Sequence, residues 1–122
     1  MLLEDVFRII LFNAINYNNN DIKEISIRIS KEKEDFSSKI RIEFIDNGVG
    51  ILDMIKQSLL KPAFEKTKDF NRIGLGLLLV NEVIRSMSGK VWIEDRVLGD
   101  YSKGSNFVLM IPEAHGILDI ER

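Results

Sequence analysis

The chain has 122 residues, 45% of them hydrophobic and 30% charged, with a formal net charge of −2. That is enough for one domain around one core, with too little charge of either sign to favour nucleic acid or anionic lipid. There is no cysteine, which excludes disulfides and thiolate metal sites and is compatible with a cytoplasmic protein. No apolar run approaches the roughly 20 residues of a membrane span, and the opening "MLLEDVFRII" carries acid without a basic leader, unlike a signal peptide.

In chain order, "MLLEDVFRIILFNAINY" reads as a helix, with Leu3, Val6, Phe7, Ile10, Leu11 and Ala14 at spacings of three and four. "NYNNND" ends it with turn formers. "KEISIRIS" and "SKIRIEFID" alternate: Ile25, Ile27 and Ile29 share one face, and Ile40, Ile42 and Phe44 another. The polar "KEKEDFSS" between them reads as a hairpin connector. "ILDMIKQSLL" is expected to be a short helix that stops near Lys61, because Pro62 disfavours helix in the residue before it. "KPAFEKTKDFNR" has no period and reads as a long loop of the kind that often forms a functional lid. "GLGLLLVNEVIRSMS" reads as another helix, with Leu75, Leu79, Val83 and Met87 at successive i+4 positions. "GKVWIEDRV" and "SNFVLMIP" alternate again around a turn-rich "LGDYSKG". One polar and one apolar face per strand predict an α/β sandwich (α+β): a single mixed, mainly antiparallel sheet with about three helices on one face and water on the other.

Several residues break this pattern. Asn13 lies within a helix, where its side chain competes for backbone hydrogen bonds; it is either a satisfied amide or a ligand-binding one. "DNGVGI", residues 46–51, follows a strand, and its letters alone read as a turn. "GLGL" opens a helix although glycine is a poor helix former. Those glycines make sense where something large approaches a helix N-terminus, a ready site for phosphate.

Taken together, these stretches resemble the ATP-binding domain of sensor histidine kinases, within the wider group of gyrase-, chaperone- and mismatch-repair-type ATPases of the Bergerat fold. "LEDVFRIILFNAINY" is similar to that family's Asn-containing helix motif, L-E-x-V-L-x-N-L-L-x-N-A-x-K-Y. "DNGVGI" matches its first glycine box, D-x-G-x-G, and "KPAFEKTK" resembles its phenylalanine box, E-P-F-F-T-T-K. "RIGLGLLLVNEVIRSMSGKVWIED" resembles its second glycine box and the following helix, and "KGSNFVLMIP" its last strand. The five boxes run in the family's order over about residues 2–112. A domain at 1–112 is therefore expected, with 113–122 as a C-terminal tail.

The resemblance implies roles. Asp46 would accept a hydrogen bond from the exocyclic amine of adenine; a carboxylate has only acceptors and repels the oxygen that guanine carries there. Gly48 and Gly50 would let the backbone pass beside the base. Asn13 would give one neutral oxygen to Mg²⁺, which takes its other ligands from phosphates and water. Tyr17, one turn on, would touch ribose, adenine or phosphate, or else pack as a helix-end aromatic. Residues 62–73 would form an ATP lid, with Phe64 as its anchor and Lys66, Lys68 or Arg72 reaching phosphate oxygens, or solvated instead. The amides of Gly74, Leu75 and Gly76 would hold the phosphates.

Departures limit the activity that the resemblance implies. Ile9 stands four residues before Asn13, where the kinases carry Asn and the hydrolysing relatives a Glu that activates water. Asn16 replaces a Lys, and Arg72–Ile73 replace a Gly-Thr at the lid hinge. No phosphoacceptor helix is encoded; the single histidine, His115, lies in "PEAHGILDIER" with no amphipathic helix around it and reads as a tail residue. The chain opens on its first motif, as a piece of a longer kinase or a free-standing domain would. The leading expectation is an ATP·Mg²⁺-binding catalytic domain for two-component signalling. It would be negligible as an ATPase alone and would phosphorylate a histidine on a helical dimerisation domain or a separate protein. A stand-alone serine kinase of anti-sigma type and a non-catalytic nucleotide sensor are the alternatives, and no nucleic-acid partner is expected.

Overall fold

In a computed structural model of the chain, residues 3–34, 36–56 and 75–113 are described. They form helix α1 (Leu3–Asn16), strands β1 (Ile25–Glu34) and β2 (Ser37–Asp46), the short helix α2 (Asp53–Lys56), helix α3 (Leu75–Ser86), and strands β3 (Lys90–Val97) and β4 (Asp100–Pro112). The strands make one open sheet in the order β1-β2-β4-β3, and every neighbouring pair is antiparallel. The expected α/β sandwich is what is found, with the three helices against the sheet.

The core lies between α1, α3 and one sheet face. Val6 and Ile10 of α1 and Leu77, Val80 and Ile84 of α3 meet Ile42 and Phe44 of β2, with Leu109 of β4 beside them. Phe7 packs edge-on against Phe44, ring centroids 5.0 Å apart. Each such side chain taken out of water stabilises the fold by about 1.5–3 kcal/mol. The opposite face is polar: Arg41 lies over the Trp92 ring and within 3.2 Å of Glu43 Oε1. Glu43 also accepts a hydrogen bond from Asn106 Nδ2 at 3.0 Å. No helix among the described residues is long and apolar enough to cross a membrane.

Four details depart from the expectations. Helix α3 forms, but its buried positions are Leu77, Val80 and Ile84, not the stripe through Leu79, Val83 and Met87; Met87 is 38% exposed. The run "LLLV" is apolar around most of the helix, so spacing alone does not select its core face. The polar stretches read as connectors are mostly strand: Lys31, Glu32 and Lys33 pair with Ile40, Lys39 and Ser38. Likewise, only Leu98 and Gly99 separate Val97 from its partner Asp100. Gly99 turns the chain at φ +82°. Ladder pairing at the ends of these hairpins needs no buried side chains, so composition does not reveal it. Finally, Ile27 and Ile29 are 45% and 63% exposed, because β1 is an edge strand and α1 lies over β2.

Candidate functional site

Asp46 is the last residue of β2 and is only 7% exposed. Its Oδ1 accepts hydrogen bonds from the backbone N–H of Gly48 at 2.8 Å and of Ser105 at 3.3 Å. Both go to the same oxygen, which leaves Oδ2 without a hydrogen-bond donor among the described residues. Strand β4 approaches this closely because position 104 is glycine. Gly104 has φ +116°, and a Cβ there would stand 2.0 Å from the Asp46 carbonyl oxygen. Burial pushes the Asp46 carboxyl above its ordinary value, opposed by the two N–H groups and by the charge of Arg96.

Helix α1 supplies the facing wall. Asn13, Ala14 and Tyr17 line a recess of about 70 Å³ together with Asp46. Val49, Gly50 and Ile51 line it from the turn, and Ser105 and Phe107 from β4. The turn is fastened to the helix end: the Val49 N–H donates to the Tyr17 carbonyl at 3.0 Å. Gly48 makes this possible, since a Cβ there would lie 2.6 Å from the same oxygen. At Gly50 the backbone has φ +77°, and a Cβ would fall 1.7 Å from the Tyr101 carbonyl. Both glycines thus allow backbone to pack on backbone, and Gly50 also faces the recess.

The Nδ2 atom of Asn13 is buried and has no hydrogen-bond partner among the described residues. Buried amides normally have partners, so an orphan on a residue that lines the recess fits a group completed by a ligand. A half-turn of the amide exchanges the nitrogen for Oδ1. The recess therefore combines apolar walls, a buried carboxylate oxygen on offer and a side-chain amide one helix away. Chemically this suits a flat heterocycle that carries an amine.

Of the residues singled out in the sequence, Asn13, Tyr17, Asp46 and Gly50 meet at the recess, and Gly48 lies buried just behind it. Leu75 begins α3, and Gly76 follows it. A Cβ at Gly76 would meet the Cγ2 of Ile9 at 2.9 Å, so this glycine brings α3 close to α1. Phe64, Lys66, Lys68, Arg72 and Gly74, with the rest of the expected lid, lie outside the described residues, as does His115. Ala14, Val49, Ile51, Ser105 and Phe107 were not singled out as site residues. The signal was present for Ser105 and Phe107 in "KGSNF", read only as a closing strand. Ile9 is partly buried and packs on the core between the two helices.

Comparison with known proteins gives the family and the fold. Residues 1–115 match the family model described as histidine kinase-, DNA gyrase B-, and HSP90-like ATPase. The sensor protein CitS of Halalkalibacterium halodurans is 31% identical over 112 residues, covering 92% of this chain and 18% of that protein. The autoinducer 2 sensor kinase/phosphatase LuxQ of Vibrio vulnificus (strain CMCP6) is 25% identical over 111 residues, covering 88% of the chain and 12% of the relative. The chain thus spans less than a fifth of the length of either relative. Among solved structures, the nucleotide-free catalytic domain of the histidine kinase ThkA aligns at 26% identity and TM-score 0.67, covering 90% of this chain and 65% of that one. The mycobacterial sensor histidine kinase MprB shares the fold at 18% identity and TM-score 0.69, covering 88% of this chain and 68% of that one. With its matched region running over nearly its whole length, the chain belongs to the histidine kinase-, DNA gyrase B- and HSP90-like ATPase family.

Proposed function

We propose that the chain binds ATP with Mg²⁺ and acts, in the cytoplasm, as a catalytic domain of histidine-kinase type. Its phosphoryl acceptor is a histidine supplied by a helical dimerisation domain or by a separate protein. The observation that carries the reading is Asp46: a buried carboxylate whose Oδ1 is held by two N–H groups while Oδ2 is left to a ligand. That oxygen accepts the 6-amino group of adenine and repels the 6-oxo group of guanine. Ala14, Ile51 and Phe107 exclude water from the base. Asn13 fits a Mg²⁺ that arrives with the nucleotide, because a half-turn of its amide would put a neutral oxygen where the unpartnered Nδ2 stands. Among the described residues no cluster of His, Cys, Asp or Glu would hold a metal on its own. Bound there, Mg²⁺ would neutralise phosphate charge. The N–H groups at the start of α3, around Leu75 and Gly76, are the phosphate donors on this reading.

A second reading, a nucleotide sensor without phosphoryl transfer, is favoured by Ile9. Its side chain fills the space beside Gly76 and supplies neither an amide nor an acid.

Displacement of labelled ADP by ATP and by GTP tests the binding. ATP displaces it and GTP does not; equal competition by GTP would remove Asp46 as the reader of the base. Incubation with histidine-bearing partner domains separates the two readings. An acid-labile phosphoryl product supports the kinase, and nucleotide binding without transfer supports the sensor.

A further inference from the structure

Asn47, next to Asp46, does not line the recess; it borders a separate polar cleft of about 410 Å³. Even so, it is the most heavily hydrogen-bonded residue of the turn. Its backbone N–H donates to the Glu24 carbonyl at 3.2 Å. Its backbone carbonyl accepts from Asn20 Nδ2 at 2.6 Å. Its Oδ1 accepts from Asn18 Nδ2 at 2.7 Å and from the Glu24 N–H at 2.9 Å. Its Nδ2 donates to the Ile22 carbonyl at 3.1 Å. Asn18 is only 3% exposed, and its own Oδ1 accepts from the backbone and side chain of Asn20, both at 3.0 Å.

All these partners belong to residues 18–24, the segment that leaves α1 and enters β1. The segment continues from the helix that carries Asn13 and Ala14 and from Tyr17 just beyond it, while Asn47 continues from the strand that carries Asp46. The Val49 N–H to Tyr17 carbonyl bond closes the same seam from the other side. The two walls of the recess are therefore joined through Asn47, backbone and side chain together, and through the Val49–Tyr17 bond. A side chain that accepts two hydrogen bonds and donates a third across one seam holds its neighbours in a single geometry.

We propose that Asn47, with Asn18 as its buried partner, is a positioning residue that sets where the Asp46 carboxylate stands relative to α1, and so sets the base selectivity of the recess. This rests on the reading of Asp46 as the acceptor for the adenine amine. Asn47 touches no nucleotide; it acts through Asp46. Without it, Asp46 keeps its charge and chemistry but loses its fixed distance from the helix wall.

The test compares ATP with the triphosphate of purine riboside, which lacks the 6-amino group. Both are titrated by displacement of a fluorescent ADP analogue from the full 122-residue chain. The chain is assayed unaltered and as Asp46→Asn, Asn47→Ala and Asn18→Ala, with folding followed by circular dichroism. The unaltered chain prefers ATP. In Asn47→Ala the preference shrinks by about tenfold, the order of one hydrogen bond to a charged group, while affinity for the amine-free nucleotide is nearly kept. Asn18→Ala, which removes one of the five bonds to the hub, shows a smaller loss of the same kind and decides alone should Asn47→Ala not fold. An equal fall in affinity for both nucleotides would show a purely structural role and overturn the proposal. So would an unchanged preference in folded amide variants while Asp46→Asn abolishes it. A lack of preference in the unaltered chain, unmoved by Asp46→Asn, would strike the adenine reading itself.

Discussion

On the proposed reading, Asp46 carries a conflict between stability and binding. Burial raises its folded-state pKa above the ordinary aspartate value of 3.8. Between those two values the folded chain holds more proton than the unfolded one, so stability falls as pH rises through that window. At neutral pH the ionised carboxylate is a net cost to the nucleotide-free fold. Asp46→Asn removes that cost, and its thermal midpoint at pH 7 is expected to rise. The Gly48 and Ser105 N–H groups select an oxygen, so the new NH₂ points to where Oδ2 stood. A donor then meets the donor of adenine, and ATP affinity is expected to fall by about 1–3 kcal/mol. Inosine triphosphate, which offers a 6-oxo acceptor, is expected to gain on ATP. Calorimetric melting and competition binding check both signs, and a drop in midpoint together with a drop in affinity would contradict the argument. Gly50 and Gly99 make a second comparison, since both have positive φ. Alanine at Gly99 meets open space and costs only the left-handed backbone penalty, about 1–2 kcal/mol. Alanine at Gly50 also drives a methyl into the Tyr101 carbonyl, so it is expected to unfold at lower denaturant than Gly99→Ala and to lose nucleotide. The spacing of "DNGVG" makes these positions stand out in the sequence. Their obstacles do not stand out, because Tyr101 lies fifty-one residues from Gly50 and nothing local announces the approach.

Helices and strands were legible wherever one period dominated. α1 has one apolar stripe, and its buried residues Val6, Ile10 and Ala14 fall on it. α3 has apolar residues on several faces, and only the tertiary partner decides that Leu77, Val80 and Ile84 turn inward. The far end of the first hairpin is a polar ladder, where backbone bonding continues after side-chain burial has stopped, and the second shifts register between Asp95 and Val97 before it closes on Asp100. The solvent face of the sheet was legible as polar but not as a network. Glu43, 7% exposed, takes a hydrogen bond from Asn106 and pairs with Arg41 and with Arg28 at 3.7 Å. The Asn106 bond is the largest influence on its carboxyl, and with the arginines it outweighs burial to hold it below the ordinary value of 4.5. A group depressed in this way adds stability above its unfolded value, and the contribution is lost as pH falls through the folded one. Glu43→Gln is therefore expected to lower the midpoint at neutral pH and to flatten its decline below about pH 4.5. Melting curves between acid and neutral pH, compared with the unaltered chain, measure this. Parallel curves would mean that Glu43 is not the group that titrates.

The assembled chain brings the end of β2, the turn after it and the middle of β4 against α1, and the recess exists only where all of them meet. That convergence was legible as an ordered set of motifs, because the Asn-containing helix, the first glycine box and the last strand each line the recess, whereas the seam through Asn47 was not. The same convergence bears on turnover. Hydrolysis needs a base to take a proton from water, help that is typically worth about 10²–10⁴-fold in rate. On α1 the position four before Asn13 is Ile9, packed against Gly76. Glu4, the nearest glutamate in that helix, has a side chain 75% exposed and bound to Arg8 at 3.0 Å. Asp46 is the one carboxylate on the described lining, and its Oδ1 is already committed to two N–H groups. No group on α1 is thus placed to activate water, and the chain is expected to bind ATP while releasing phosphate at a rate indistinguishable from Asn13→Ala. Binding can be established separately, because a ligand at 100 times its Kd raises stability by about 2.7 kcal/mol whether or not it is turned over. A thermal shift with ATP and Mg²⁺, reduced in Asn13→Ala, together with a flat phosphate-release assay for both proteins, is the expected pair of results. Multiple turnovers per minute in the unaltered chain, lost in Asn13→Ala, would require a base from outside α1 and would make the chain a hydrolase in its own right.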